Sequence, residues 1–229
     1  MSAIIVSGGD LQEGVAASYI TKEKRRLSGE DEKLLLVAAD RGLDRMISMG
    51  IEPDLIIGDF DSASEKSRAA LDRYQSSKGT EVILLNPVKD DTDTEAAIRE
   101  TMERSRGEII LLGATGGHRL DHLWANLRLL GYVRERERDM TLLDAHNRVR
   151  LLRGPGEMRI LRNQQYGKYL SVFPLDGRAE GVSIRGVYYP LQDATLCGYA
   201  SLTVSNEITE EEAVLTVREG DLLVMETRD

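Results

Sequence analysis

The sequence has a single cysteine, Cys197, in 229 residues, so no internal disulfide can form. That usage fits a reducing compartment. Without a histidine-rich partner segment, the thiol is expected to pack between strand-like segments as a small apolar group. No run of about 18 apolar residues occurs, which excludes a helical membrane span on length. The opening MSAIIVSGGD has neither a basic start nor a long apolar stretch, so no secretory signal is expected and the expected location is cytoplasmic. Basic residues are in deficit, with 30 Lys and Arg against 39 Asp and Glu and a formal net charge of -9. Affinity for a nucleic-acid backbone comes from clustered Lys and Arg, so a non-specific nucleic-acid binder is excluded. Any anionic ligand must then be held by a local site.

What is present is ordinary for a folded protein: 41% hydrophobic and 30% charged residues, on a chain long enough for one large domain or two small ones. Six short apolar runs stand out in the first two thirds: AIIVSGG from residue 3, KLLLVAAD from 33, PDLIIGDFD from 53, EVILLNP from 81, EIILLGATGG from 108 and MTLLDA from 140. Each is continuous rather than alternating, as expected for strands covered on both faces. Charged segments with helical spacing, such as DTEAAIRETMERSRG, separate them. The pattern predicts an α/β domain with an open, mainly parallel sheet over residues 1–148. After a turn at Gly154, Pro155 and Gly156 the texture changes to short β-rich pieces punctuated by Gly, Pro and Asp. These predict a smaller all-β, sandwich-like domain over 149–229.

In an open parallel sheet, ligands gather beyond the carboxyl ends of the strands. Four of the runs end there in polar or glycine-rich groups: Gly8 and Gly9, Asp40 and Gly42, Asp59 and Asp61, and the stretch GATGGHRLDH. Strand ends also carry Asp and Gly simply for turns and caps. In GDFDS, Asp59 and Asp61 are i and i+2, so on an extended chain they point the same way with α-carbons about 6.6 Å apart. Two carboxylates brought within about 4 Å repel by roughly 4 kcal/mol at an effective dielectric near 20, so the pair calls for a cation, a proton or water. The stretch KDDTDTEAAI adds Asp90, Asp91 and Asp93 at a helix start. Thr92 and Glu95 there have the spacing of a capping box, which explains one or two acids but not three. Magnesium suits such a cluster, because it prefers oxygen ligands and combines one or two carboxylates with water and phosphate.

The stretch LLGATGGHRLDHLWANLRLLG places glycines at a strand-to-helix turn, where backbone N–H groups and Arg119 suit a phosphate. It lacks the lysine and hydroxyl of a Walker loop. Leu123, Trp124, Leu127 and Leu130 are expected to form the buried stripe of a helix closed by Gly131. Asp121 suits a cap, and His122 suits either a structural or a catalytic part.

Taken in order, AADRG, PDLIIGDFDS, KDDTDTEAAI, GATGGHRLDHLWANLRLL and TVSNE resemble the thiamine pyrophosphokinase family over nearly the whole chain. The resemblance implies transfer of the terminal diphosphate of ATP to the hydroxyethyl group of thiamine, with release of AMP. It implies Mg2+ held by Asp59, Asp61, Asp90 and Asp93, with Asp59, Asp61 and Asp93 catalytic and one of the aspartates accepting the hydroxyl proton. It implies ATP binding by Asp40, Gly42, Thr92, Gly117 and Arg119, and thiamine binding by Asp121, His122, Ser205 and Asn206. A homodimer follows by the same resemblance, with thiamine between the α/β domain of one subunit and the β domain of its partner. Read without the family, Ser205 and Asn206 are turn residues. One departure is His118, which stands between Gly117 and Arg119 where the family pattern runs Gly-Gly-Arg-x-Asp-His.

Two other readings stay open on residues alone. An apolar strand followed by Asp-x-Asp also occurs in haloacid-dehalogenase-like phosphatases, where the first aspartate is a nucleophile, although their chains begin with that strand. A thiamine or nucleotide sensor that keeps the fold without turnover is the non-enzyme alternative.

Overall fold

The computed structural model describes residues 1–29, 32–60, 64–76, 79–86, 88, 90–197 and 201–229. The chain divides into two units, residues 1–129 with 142–145 and residues 130–141 with 146–229. Along the first part run β1 (Ser2–Val6), α1 (Glu13–Gly29), β2 (Leu34–Ala39), α2 (Gly42–Ser48), β3 (Leu55–Gly58), α3 (Glu65–Ser76), β4 (Glu81–Leu84), α4 (Asp93–Arg104), β5 (Ile109–Leu112), α5 (Leu120–Arg134) and β6 (Met140–Leu143). All six apolar runs are strands. The pairings of β1 to β5 are parallel and give the order β4-β3-β2-β1-β5. Ile4, Ile5, Val37, Ile56, Ile57 and Leu111 lose essentially all contact with water. Each such side chain contributes about 1.5–3 kcal/mol by burial, which is why these runs do not alternate.

Local chemistry fixes where the helices start. Thr92 is the N-cap of α4, its hydroxyl accepting the Glu95 N–H at 3.1 Å. Ser64 plays the same part before α3, accepting from the Ser67 N–H at 3.1 Å. Both serine hydroxyls donate to Asp44 of α2, that of Ser64 at 2.6 Å, so α2 clasps the start of α3.

Helix α5 departs from expectation in two ways. Trp124 is 53% exposed, and the buried positions are Asn126, Leu127, Leu129, Leu130 and Val133. Leu127 and Leu130 of the expected stripe are thus buried and Leu123 is half-buried, while Trp124 and the start of the helix face water. Gly131 does not end the helix, which runs on to Arg134. A Cβ at Gly131 would stand 2.9 Å from Leu175 Cδ2, so this glycine serves close packing instead.

The second unit holds β7 (Asn147–Arg153), β8 (Gly156–Leu161), a 3-10 turn (Arg162–Gln164), β9 (Tyr169–Pro174), β10 (Arg178–Arg185), β11 (Leu191–Cys197), β12 (Asn206–Glu207), β13 (Glu212–Val217) and β14 (Asp221–Thr227). Its strands form two antiparallel arrays, β12-β9-β14-β7 and β11-β10-β13-β8. Both contribute to one core, with Leu170, Val172, Leu222 and Val224 from the first and Ile160, Val182, Ile184 and Leu215 from the second. This is the sandwich-like arrangement expected of β-rich pieces without amphipathic helices. Cys197 is exposed rather than packed, because it ends β11, the edge strand of its array among the described residues.

Candidate active site

Parallel pairing puts the carboxyl ends of β1, β2, β3 and β5 on one rim. From β1 the chain runs outward through β2, β3 and β4 and then returns to place β5 on the other side of β1. The sheet order reverses between β1 and β5, which is where such sheets open a crevice. A cleft of about 510 Å³ lies there. Its walls are residues 7–10 after β1, 39–41 and Arg45 after β2, 92–94 opening α4, 113–114 and 116–119 after β5, and His122 and Asn126 of α5.

The cleft brings together Asp40, Thr92, Asp93, Gly117, Arg119 and His122 of the expected site residues. Asp40 is half-buried with φ +48°, and its N–H donates to Ile57 O at 2.7 Å, which ties it to the end of β3. Asp93 is half-buried in the first turn of α4. Gly117 has φ +112° and open space around its α-carbon, so backbone conformation rather than crowding calls for glycine. Gly42 lies outside the cleft wall and is fully packed. A Cβ there would fall 1.8 Å from Val6 O, so the glycine lets α2 rest on the backbone of β1.

Asp59 follows β3, half-buried, and is not among the residues that line the cleft. Asp61 lies outside the described residues. Asp90 is exposed, and Asp91 is turned to Arg99 in an ion pair of 2.6 Å. Asp121 is exposed and bonded to Arg119. That hydrogen bond, aided by the Arg119 charge and the His122 N–H, holds the Asp121 carboxyl down at about 2. Among the described residues, no three carboxylate, imidazole or thiol groups gather into a ready-made metal cage.

Ser205 and Asn206 belong to the second unit. Ser205 has φ +58°, and its N–H donates to Ser171 Oγ at 3.0 Å. Asn206 is buried, and its amide accepts from Tyr189 N–H at 3.0 Å and donates to Tyr189 O at 2.8 Å. That amide thereby pins the chain at Tyr189.

Several contributors to the cleft were not foreseen from the sequence. Ser7 Oγ and Thr94 Oγ1 meet at 2.9 Å, both buried, and join the end of β1 to α4. Asn126 Nδ2 donates to Ala114 O at 2.8 Å, and Thr115 Oγ1 donates to Asp144, so the glycine turn is held from two sides. The signal for Asn126 was an amide inside an otherwise apolar helix face, since a buried amide must find a partner. Ser7 and Thr94 carried no comparable signal.

The comparisons with known proteins agree with this geometry. A family model described as thiamin pyrophosphokinase, catalytic domain, matches residues 30–142, and one described as thiamin pyrophosphokinase, vitamin B1 binding domain, matches residues 157–222. The chain belongs to the thiamine pyrophosphokinase family. Thiamine pyrophosphokinase from Bacillus subtilis (strain 168) is 27% identical over 199 residues, covering 87% of this chain and 90% of its own length. The crystal structure of thiamine pyrophosphokinase from Bacillus subtilis matches with a TM-score of 0.82 at 26% identity, over 100% of both chains. That from Geobacillus thermodenitrificans matches with a TM-score of 0.78 at 28% identity, over 100% of this chain and 98% of its own. As a thiamine pyrophosphokinase the chain is an enzyme, a diphosphotransferase, and the phosphatase and sensor readings fall away. His118, the departure from the family pattern, lines the cleft between Gly117 and Arg119.

Proposed function

We propose that the cleft binds ATP and Mg2+ and that the enzyme transfers the diphosphate unit of ATP to the hydroxyethyl group of thiamine, giving thiamine diphosphate and AMP. The observation that carries this reading is the meeting of the glycine turn at 113–117 with Asp40 and Asp93 in one cleft at the switch point of the sheet. Backbone N–H groups of the turn suit the phosphates. Arg119 adds a fork of donors. Its bond to Asp121 is exposed, and exposed ion pairs hold little free energy, so a phosphate can take over the guanidinium. Magnesium needs no cage of three protein ligands, because one or two carboxylates, phosphate oxygens and water complete its shell. Asp59, Asp61, Asp90 and Asp93 would hold it, and when bound it would neutralise charge on the phosphates. One of these aspartates takes the proton from the thiamine hydroxyl. Asp40, Gly42, Thr92 and Gly117 sit on the nucleotide side, and Gly42 acts there by letting α2 approach β1. Asp121, His122, Ser205 and Asn206 form the thiamine side.

On this reading residues 1–148 are the catalytic part, and 149–229 bind thiamine and dimerise. The exposed side chains of Tyr188, Tyr189, Leu202 and Val204 support a homodimer, as apolar surface that a second copy would cover. The single cysteine and the lack of any helix long and apolar enough to cross a membrane, among the described residues, support a cytoplasmic enzyme. Purified enzyme given thiamine, ATP and Mg2+ should yield AMP and thiamine diphosphate in equal amounts by phosphorus NMR. Asp59→Asn should slow that turnover by roughly 100-fold or more without changing the circular dichroism spectrum. ADP or free phosphate as products, or full turnover by the variant, would overturn the corresponding part of the reading.

A further inference from the structure

Arg41 precedes α2 and lines the cleft. It is exposed, and no hydrogen bond or ion pair engages its guanidinium among the described residues. That sets it apart from Arg99, Arg104, Arg119 and Arg134 of the same chain, each of which faces a carboxylate within 3.0 Å or closer. Its stem is seated over the turn that follows β1, because a Cβ built on Gly8 would lie 2.9 Å from Arg41 Cβ. Four residues on, Arg45 lines the same cleft, with the Glu13 carboxylate at 3.6 Å as its one ion-pair partner among the described residues. Residues at i and i+4 share one face of a helix, and two like charges there repel. Both arginines thus line a cleft whose other charged walls include Asp40 and Asp93. In a chain of net charge -9, a polyanion needs such a local source of positive charge.

We infer that Arg41, with Arg45 behind it, grips the phosphates of the nucleotide from the α2 side of the cleft, opposite the glycine turn that follows β5. This rests on the reading of the cleft as the nucleotide site. A guanidinium offers a planar fork that matches two phosphate oxygens, and because Arg41 is not already paired, that contact sacrifices no internal ion pair. Arg41 is a binding residue for ATP and not for thiamine, so its loss should separate the two substrates.

The test uses the full-length enzyme, the variants Arg41→Gln and Arg41→Lys, and Arg25→Gln as a control for charge on the exposed face of α1. ATP binding with Mg2+ and without thiamine is measured by calorimetry, and KM is measured for each substrate. Arg41→Gln should weaken ATP binding roughly ten- to hundredfold, with the thiamine KM changed by less than about twofold. Arg41→Lys should recover part of the loss, since it keeps the charge but not the fork, and Arg25→Gln should match the parent. ATP affinity in Arg41→Gln within about twofold of the parent would overturn the inference, as would equal losses for ATP and thiamine. A parent enzyme that does not bind ATP at all would instead overturn the nucleotide reading of the cleft, and this inference with it.

Discussion

In the second unit Glu226 lies on β14 at 1% exposure, with Arg148 bonded to both its oxygens at 2.6 and 2.7 Å and Arg150 at 2.8 Å. In the first unit Asp40, Asp59 and Asp93 stand half-buried at strand and helix ends, within reach of water. A carboxylate taken out of water is tolerable only if paired and hydrogen-bonded, and Glu226 also accepts the Tyr166 N–H at 3.0 Å. Asp221 and Arg153 form a similar pair at the other end of β14. The difference teaches that Glu226 and Asp221 of the second unit are held in ion pairs, while Asp40, Asp59 and Asp93 of the first keep an open side towards water.

The largest effect should follow from breaking the buried cluster. Glu226→Gln leaves two guanidinium groups without their counter-charge and should cost about 3–5 kcal/mol in urea unfolding. A loss below about 1 kcal/mol would remove the contrast between the units. The same residue gives a pH signature. Burial alone would raise its pKa, but the hydrogen bond from Arg148, the charge of Arg150 and the Tyr166 N–H outweigh it, and the value lies below 4.5. A carboxyl depressed in the folded state contributes stability above its unfolded pKa and loses it as the pH falls through the folded value. Melting temperature should therefore drop below about pH 4.5 in the parent, and less steeply in Glu226→Gln.

A smaller effect belongs to Thr92. Removing the cap of α4 by Thr92→Ala should cost about 1 kcal/mol, and a lowered ATP affinity beyond what that loss explains would assign the hydroxyl a part in binding as well. The smallest change in stability should come from Asp90→Asn, at an exposed site, within about 0.5 kcal/mol. On the proposed function it should nevertheless weaken the dependence of turnover on Mg2+. A variant equal to the parent in both respects would take Asp90 out of the metal set.

How far the sequence could be read follows from the same physics. The six strands of the first part were legible because burial on both faces leaves unbroken apolar runs, as in LLLVAA and LIIG. The cap at Thr92 was legible because it is local. Features decided by distant partners were not. Gly131 looks like a helix stop until Leu175 is seen against it, and Gly42 looks like a turn residue until Val6 O is found where its side chain would be. Trp124 is expected inside from its place in a helical stripe and Cys197 from its residue type, and both are exposed, Trp124 near the start of α5 and Cys197 at the end of an edge strand. Asp59, Asp93 and Arg119 stood out as candidates by chemistry. Arg41 did not, since a lone arginine after a strand carries no pattern.

The strand order has a consequence in time. The cleft needs β5 beside β1, and Ala3 pairs with Ile109, 106 residues further along (109 minus 3). A growing chain that has released β1 to β4 and the start of α4 has already made Asp40, Asp59 and Asp93, yet still lacks the strand whose glycine turn completes the cleft. Closing so long a loop is slow relative to local pairing. The chain thus remains without this cleft through about the first half of its synthesis, and one short strand, IILL, with the turn and helix that follow it, completes the wall.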